Sequence, residues 1–276
     1  MGKALVVGDM HLKQSIVLPR VDALARRYGV RRVVFTGDYC DERRSSDALL
    51  SNELGLFADW VGGARHAGMQ IDLLLGNHDY QYVLGRKGSG THVNLLDEVR
   101  ALLEGLGPLI AATVDGILVT HAGLTEPWMR EYLGDVADAA EAARRLNALH
   151  RGSEEDRYAL LSCGPGRGGR DLPGPLWADR DELRREAAPG IDQIVGHTPS
   201  GTCELVCADA GAAHDARIWT CDTFSLTLRH FRFPIGDGSM LLVEDGQVSV
   251  VGENDDEYLA PWGFVVFDWE RHAARR

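Results

Sequence analysis

Short apolar runs alternate with helical patterns over the first third of the chain. Three of the runs predict buried strands at residues 3–7, 32–36 and 71–75. Apolar residues at helical spacing predict two intervening helices, at residues 16–28 and 46–67. Gly29 and Gly68 follow these helices as stop signals. This β-α-β-α-β order predicts a largely parallel sheet with helices on its faces.

The pattern changes in the middle of the chain. Two apolar runs, at residues 109–114 and 117–120, flank Asp115-Gly116 and predict a hairpin. Residues 125–162 are rich in Ala, Glu and Arg and predict helix, whereas the Gly/Pro-rich residues 163–176 predict an irregular loop. We interpret residues 125–188 as a helical and Gly/Pro-rich insert or cap within one domain that covers residues 1–276.

The last third returns to strand patterns. A run at residues 191–195 is followed by shorter runs near 203–207, 216–221, 226–231, 239–243 and 247–251. These runs predict a second, more antiparallel sheet. The expected fold class is therefore α/β, with a two-sheet β-sandwich flanked by helices and interrupted by the insert.

Composition and charge narrow the classes of partner. The chain has 276 residues and a formal net charge of -12, which disfavours broad binding to nucleic acid or to an anionic membrane. No apolar stretch approaches the roughly 18 residues that a membrane span requires. The five cysteines show no paired spacing and predict reduced thiols, so we expect a cytoplasmic protein.

Five strand ends carry side chains that can bind metals. Each follows an apolar run and lies beside glycine, which lets the backbone turn sharply and approach an ion. Carboxyl ends of strands are also where open α/β sheets bind ligands. Carboxylate and imidazole ligands suit manganese, iron, cobalt or zinc. The blocks are Gly8-Asp9-Met10-His11, Gly37-Asp38-Tyr39-Cys40-Asp41, Gly76-Asn77-His78-Asp79, His121-Ala122-Gly123 and Gly196-His197-Thr198.

These blocks, in this order, resemble the signature blocks of the calcineurin-like metallophosphoesterases. The last two, together with Leu-Trp-Ala-Asp-Arg at residues 176–180, are most similar to the phosphoprotein phosphatase branch. That branch includes Ser/Thr phosphatases and symmetrical diadenosine-tetraphosphate hydrolases. The resemblance spans roughly residues 3–200 and implies the two-sheet fold of that family and a metal-dependent phosphoesterase activity.

The resemblance also implies a centre of two divalent transition metal ions, with manganese as the first choice and iron, zinc or cobalt as alternatives. Asp38 would bridge the two ions, and the first ion would also bind Asp9 and His11. The remaining ligands of the second ion would be Asn77, His121 and His197. Two ions about 3.5–4 Å apart can share a hydroxide, lower its pKa and support in-line displacement at phosphorus.

Two further residues gain roles from the resemblance. His78 would be the general acid that protonates the leaving oxygen, and Asp41 would be the carboxylate that orients it. The expected substrate is a phosphorylated small molecule, a nucleotide or a phosphoprotein. A different small-molecule phosphoesterase or phosphodiesterase is the alternative, as is a non-catalytic metal-binding scaffold on the same fold.

The chain departs from that branch at three positions. Leu12 replaces a glycine, Asp79 replaces a glutamate, and Glu42 follows Asp41 where the branch has the arginine that grips the phosphate. A guanidinium matches phosphate oxygens in bidentate fashion, so another arginine is expected to serve. Asp79 is expected to cap a short helix that begins at Tyr80. The candidates for the phosphate are Arg43 first, then Arg167, Arg170 or Arg180.

Overall fold

Short strands separated mainly by helices form the framework of the protein. The computed structural model describes residues 2–207, 216–225 and 235–252, so the strand expected near 226–231 lies outside the described residues. The strands in the described part are β1 (Ala4–Val7), β2 (Arg32–Phe35), β3 (Gln70–Leu73), β4 (Ala111–Val114), β5 (Ile117–Thr120), β6 (Gln193–Val195), β7 (Glu204–Cys207), β8 (Arg217–Thr220), β9 (Met240–Glu244) and β10 (Gln247–Val251).

The helices cover most of the segments between these strands. They are α1 (Gln14–Tyr28), α2 (Asp47–His66), α3 (Asn77–Val83), α4 (Leu96–Leu106), α5 (Glu126–Tyr132), α6 (Ala139–His150), α7 (Glu154–Ala159) and α8 (Arg180–Glu186). The sequence pattern did not predict α4, and the segment expected to be helical at residues 125–162 divides into three helices. Within the described residues, no helix has both the length and the apolar character needed to cross a bilayer.

The first sheet has the order β10-β9-β1-β2-β3. Strands β1, β2 and β3 are parallel, as the β-α-β-α-β pattern predicted, and β9 joins the free side of β1 in antiparallel register. The expectation that β9 and β10 belong to the second sheet is wrong. Pairing with β9 instead satisfies the backbone groups of β1 that would otherwise form an open edge.

The second sheet has the order β4-β5-β6-β8-β7. Its central strands β5, β6 and β8 are parallel, and β4 and β7 pair antiparallel with them at the two edges. The sheet is therefore more parallel than the sequence pattern suggested. Both sheets place the carboxyl ends of three parallel strands next to one another.

The two sheets pack face to face because β1 and its neighbours are apolar on both sides. Ala4 and Val6 contact the second sheet, where they share a cluster with Val119 and Ile194. Leu5 and the other alternate positions of β1 lie in the larger cluster under the helices. A strand covered on both faces is expected to be a continuous apolar run rather than an alternating one. The predicted fold, two sheets flanked by helices, is confirmed.

Residues 125–188 connect β5 to its parallel neighbour β6. A parallel pair cannot be joined by a tight turn, so a long crossover is required at this point. The segment contains α5 to α8, and its Gly/Pro-rich part is not wholly irregular: Pro165–Arg167 forms a 3₁₀ turn that ends at Gly168 in the left-handed region. This turn carries Arg167 toward the ends of the strands.

Candidate metal centre

Six strand ends meet between the two sheets. The parallel strands β1, β2 and β3 end in the blocks that contain Asp9, Asp38 and Asn77. The parallel strands of the other sheet end next to His121, His197 and Asp222. Because parallel strands present their carboxyl ends at one edge, residues more than 100 positions apart converge there.

Asp38 lies at the middle of this convergence. Its Oδ2 atom is 3.6 Å from Nε2 of His11 on one side and 3.6 Å from Nε2 of His121 on the other. Ligand atoms of Asp9, His11 and Asp38 all lie within 4.8 Å of one another, and so do those of Asp38, His121 and His197. Two potential metal-binding groups thus share Asp38. We call the six residues predicted from the sequence as ligands the cluster: Asp9, His11, Asp38, Asn77, His121 and His197.

Asn77 joins the second of these groups. Its Oδ1 atom is 2.9 Å from Nε2 of His121, and that nitrogen is 3.1 Å from Nδ1 of His197. Asn77 is also the first residue of α3, so the turn from β3 into the helix fixes its position. The structure therefore brings together all six residues that the sequence suggested as ligands.

Backbone carbonyls orient two of the histidines. Nδ1 of His121 donates to the carbonyl oxygen of Thr36 at 3.1 Å, and Nδ1 of His11 donates to that of Asp41 at 2.9 Å. In each ring the Nε2 lone pair is then free to face Asp38. A hydrogen bond from the second ring nitrogen is the usual device that fixes the tautomer of a metal-binding histidine.

The backbone of these loops is strained. His11, Asp38 and His197 have φ angles of 41°, 51° and 64°, in the left-handed region that residues other than glycine rarely adopt. Space is also tight, since a Cβ atom on Gly76 or Gly196 would collide with the carboxylate of Asp38 or Asp9. Such strain persists only where surrounding structure enforces it, and it is concentrated at functional sites.

Burial makes the negative charge of the cluster costly. Asp9 and Asp38 are buried, and this desolvation raises the pKa of each well above its ordinary value. Neighbouring carboxylates raise both values further, Asp222 acting on Asp9 and Asp79 acting most strongly on Asp38. A metal cation between these carboxylates would remove the repulsion.

The histidines of the cluster favour their neutral forms. Burial lowers the pKa of His121 to about 3, and it also lowers the pKa values of His11 and His197 well below the usual range. At neutral pH these rings are therefore unprotonated, which is the form that binds metals. Nε2 of His197 is buried and has no hydrogen-bond partner among the described residues. The donor set, its charge and this orphaned nitrogen together fit divalent transition metal ions.

His78 lies beside the cluster and is held by Asp41. Its Nδ1 atom is 3.3 Å from Oδ2 of the buried Asp41, and its backbone N–H donates to Asp38. The hydroxyl of Tyr82 donates to the other carboxylate oxygen of Asp41 at 2.5 Å. Sequence reasoning did not identify this contact of Tyr82, which lies in α3 three residues after the block that contains Asn77 and His78. A quarter of the His78 side chain is exposed, so its ring also faces solvent.

Asp79 has a structural role. Its carboxylate accepts the backbone N–H groups of Gly76, Tyr39 and Cys40 at 2.9–3.1 Å. The helix begins at Asn77 rather than at Tyr80, so Asp79 lies in its first turn. The expected cap position before Tyr80 is therefore wrong, but Asp79 does take part in capping, because it accepts from the backbone N–H of the N-cap residue Gly76. The same side chain ties the loop after β2 to the loop after β3.

The candidate arginines have different surroundings. Arg43 is exposed and lines a cavity next to His78, whereas Arg180 pairs with Glu204 at 3.0 Å and does not line that cavity. Arg167 donates to the hydroxyl of Thr198 at 2.6 Å, and its charge is among the causes that lower the pKa of the adjacent His197. Arg167 is therefore the candidate that contacts the residue next to His197, a member of the cluster.

The position where an arginine was expected has a different use. Glu42 accepts from the ammonium group of Lys13 at 3.1 Å, and Lys13 also donates to the backbone carbonyls of Met10 and His11. Lys13 is almost fully buried. This ion pair fixes the loop after β1 to the loop after β2, so the missing arginine has been replaced by a structural contact.

Asp222 was missed by the sequence reasoning. It follows β8, is buried, and lies close enough to raise the pKa values of both Asp9 and Asp38. Burial raises its own pKa to about 6, although a hydrogen bond from Ser225 opposes the shift. The available signal was an apolar run that is followed by an aspartate, as at the other strand ends. Unlike those ends, this one has no neighbouring glycine or histidine.

Comparison with known proteins agrees with this fold. A family model for calcineurin-like phosphoesterases matches residues 2–226. A cold-active protein-tyrosine phosphatase from a psychrophilic Shewanella species is similar over 91% of this chain and 81% of its own, with 18% identity and a TM-score of 0.54. A protein serine/threonine phosphatase from Saccharomyces cerevisiae is similar over 92% and 82%, with 15% identity and a TM-score of 0.50. The curated protein sequences contain no match.

Proposed function

This chain belongs to the calcineurin-like phosphoesterase family, and from that premise we propose that it hydrolyses a phosphate ester or anhydride with two divalent transition metal ions. The observation that carries the proposal is the pair of potential ligand groups that share Asp38. Asp38 is shared by a group that contains one neutral imidazole and a group that contains two. A shared carboxylate of this kind suits a two-metal hydrolase.

Asp9, His11 and Asp38 would hold one ion, and Asp38, Asn77, His121 and His197 would hold the other. Manganese is our first choice, and iron, zinc or cobalt would suit the same nitrogen and oxygen ligands. When bound, the ions would supply Lewis acidity toward phosphate oxygens and a water of lowered pKa. The protein itself supplies the rigid, partly dehydrated loops that fix the ligands.

His78 would donate the proton that the leaving oxygen needs. The contact between its Nδ1 and Asp41 orients the ring and leaves Nε2 for the substrate. Tyr82 in turn holds Asp41 by its second oxygen, so the carboxylate cannot rotate away. Protonation at Nε2 stabilises the developing negative charge on the leaving group.

Arg167 would bind the phosphate that is being transferred. It contacts Thr198, the residue directly after His197, while Asp179 orients its guanidinium from the other side at 3.0 Å. A guanidinium in this place can reach phosphate oxygens near the second group of ligands. This assignment replaces Arg43 as our first choice, because Arg43 is exposed on the cavity wall.

Metal analysis and hydrolysis assays test the central proposal. We expect about two divalent ions per chain after reconstitution, and cleavage of p-nitrophenyl phosphate that Asp38→Asn reduces by about 10³-fold or more. Asp72→Asn is the matched control. Asp72 lies on β3 and pairs with Arg32 of the neighbouring strand β2, away from the cluster. Less than one ion per chain, with no hydrolysis, would favour a non-catalytic scaffold instead.

A second variant tests the phosphate-binding residue. Arg167→Gln should raise KM for p-nitrophenyl phosphate by about tenfold or more, since a charged hydrogen bond to phosphate would be lost. Arg170→Gln removes an exposed charge from the same segment and should leave KM unchanged. If the two variants behave alike, Arg167 does not bind the phosphate.

A further inference from the structure

A cavity of about 710 Å³ opens beside the cluster. His11 and His78 line its inner end. Most of its lining comes from two loops, residues 42–47 and 87–94, which we call the rim. A substrate whose leaving oxygen is next to His78 would therefore extend its leaving group along the rim.

Two side chains of the rim, Arg44 and Lys87, carry positive charge. Arg44 and Lys87 line the cavity, and no carboxylate of the described residues lies within ion-pair distance of either. The acidic side chains of the lining are already engaged: Asp41 accepts from Tyr82, Glu42 pairs with Lys13, and Asp47 contacts His92. In a chain with a net charge of -12, two basic side chains that have no ion-pair partner in the described part of the chain indicate an anionic ligand.

The loop that presents Arg44 is strained. Asp41 and Arg44 have φ angles of 62° and 64°, although neither is glycine. Such a conformation is costly and persists only when the surroundings enforce it. Arg44 and Asp41 both line the cavity, so the strained turn forms part of its wall.

His92 fixes the two loops of the rim to each other. Its Nε2 atom is 2.8 Å from the hydroxyl of Ser45, and its Nδ1 atom is 2.6 Å from the carboxylate of Asp47. Its backbone N–H donates to the hydroxyl of Tyr82, the same hydroxyl that holds Asp41. The positions of the rim loops are therefore linked to the residue that orients His78.

Gly90 lets the loop with Lys87 pack against Asp41. Its φ angle is +89°, and a Cβ atom there would lie only 3.2 Å from Cβ of Asp41. Thr91 closes the same loop by accepting from the backbone N–H of Gly88 and donating to Gln81. The wall is thus held in place before a ligand arrives, which lowers the cost of binding one.

We propose that Arg44 and Lys87 bind a second phosphate on the leaving-group side, so that the preferred substrate is a phosphoanhydride chain. The inference rests on the proposed function, because it requires the leaving oxygen next to His78. Water adds to the scissile phosphorus, and the P–O bond to the neighbouring phosphate breaks. His78 donates a proton to the released phosphate oxygen, and the proton that the attacking water loses returns His78 to its starting state through solvent. Arg44 and Lys87 stabilise the charge that stays on the departing chain. A nucleoside polyphosphate and an inorganic polyphosphate share this chemistry.

Kinetics with two substrates test the proposal. Tripolyphosphate has a second phosphate on the leaving side, whereas p-nitrophenyl phosphate has none. The double variant Arg44→Gln/Lys87→Gln should lower kcat/KM for tripolyphosphate by about 10- to 100-fold and leave that for p-nitrophenyl phosphate within about twofold. Arg26→Gln/Arg31→Gln removes the same charge from exposed positions outside the cavity and is the matched control.

Each outcome of the two-substrate assay either supports or overturns the proposal. Equal loss on both substrates, or loss on neither, would overturn the proposal. Selective loss on tripolyphosphate supports it. Adding diadenosine tetraphosphate as a third substrate distinguishes the sources, since a nucleoside-specific site would favour it over tripolyphosphate while keeping the same dependence on Arg44 and Lys87.

Binding measured without metals separates this proposal from the proposed function. Calorimetric titration of metal-free protein with tripolyphosphate should give a Kd that the Arg44→Gln/Lys87→Gln variant weakens about tenfold or more. The Asp38→Asn variant should bind as the parent protein does or more tightly, because one negative charge is gone. Unchanged affinity in the double variant refutes the second phosphate site even if hydrolysis is found. Weakened affinity supports the site even if hydrolysis is absent.

Discussion

Aspartates of the cluster and of the rim have opposite electrostatic surroundings. Burial and neighbouring carboxylates raise the pKa of Asp38, whereas hydrogen bonds from Asn94 and His92 lower the pKa of the exposed Asp47. In the cluster the negative charge is concentrated where only a cation can relieve it. On the rim Asp47 has partners in Asn94 and His92, whereas Arg44 and Lys87 have no ion-pair partner among the described residues. We therefore expect the cluster to suit a metal and the rim to suit an anion.

This difference separates chemistry from selectivity. The cluster comes from strand ends that two packed sheets hold in place, and its residue types suit the metal-assisted chemistry that we propose. The rim comes from loops, and its charges would decide which phosphate compound enters. A change in the cluster should therefore affect every substrate, while a change in the rim should affect only substrates with a second phosphate.

Apart from substitution of the six ligands, the largest loss of activity is expected at His78, which lies between the cluster and the rim. His78→Asn should lower kcat for an alkyl phosphate by about 10²–10⁴-fold, because the alkoxide leaving group needs a proton. The loss for p-nitrophenyl phosphate should be much smaller, since nitrophenolate departs unprotonated. Steady-state kinetics measure both, with the exposed His66→Asn as control. Equal losses on the two substrates would exclude His78 as the proton donor.

Asp222→Asn should reduce divalent metal affinity by about 10- to 100-fold. Its carboxylate adds negative charge beside Asp9 and Asp38 and would attract the cations without binding them directly. Chelator competition monitored by metal content gives the affinity, and Asp72→Asn again is the control. An unchanged affinity would show that the electrostatics of the cluster are confined to its six ligands.

The same variant should change how the metal-free protein responds to pH. Because the folded pKa of Asp222 is about 6 and the unfolded value is about 4, its contribution to stability is present below pH ~4 and is lost as pH rises through about 6. Asn has no such loss. The melting temperature of Asp222→Asn minus that of the parent should therefore rise by a few degrees between pH 4 and 7 and then level off. A difference that is flat with pH would contradict the assignment.

The smallest effect expected is in the rim. Gly90→Ala places a side chain at a φ of +89° against Asp41, and should cost about 1 kcal/mol of unfolding free energy. It should raise KM for tripolyphosphate a few-fold by displacing Lys87. Gly105→Ala in α4, where a Cβ atom meets nothing, is the control and should be neutral or slightly stabilising. Denaturant titration gives the loss of unfolding free energy, and steady-state kinetics give KM for tripolyphosphate. Together they show whether Gly90→Ala displaces only the loop with Lys87 or destabilises the whole protein.

Much of the framework could be predicted from local pattern. Five strand ends with Asp, Asn and His were visible because each followed an apolar run, and the structure brings their side chains together. Their role as metal ligands stays a prediction. The apolar periodicity predicted the alternating strands and helices of the first third. A β-α-β-α-β order in turn implies three parallel strands, and the structure has them.

Other features depended on contacts between distant segments. The hairpin of β9 and β10 was placed in the wrong sheet, because apolar runs specify that a strand is buried but not which edge it joins. Arg167 was one of several candidates until the crossover between β5 and β6 brought it to Thr198.

The sequence by itself determined the fold class and the family, because both are encoded in short segments. Only the tertiary structure decided that Asp222 lies beside Asp9, that Glu42 holds Lys13 where an arginine was expected, and that Arg44 and Lys87 line the same cavity. The physical reason is that charge acts through space. Which charges are neutralised and which face a ligand depends on the packing of sheets and loops that lie far apart along the chain.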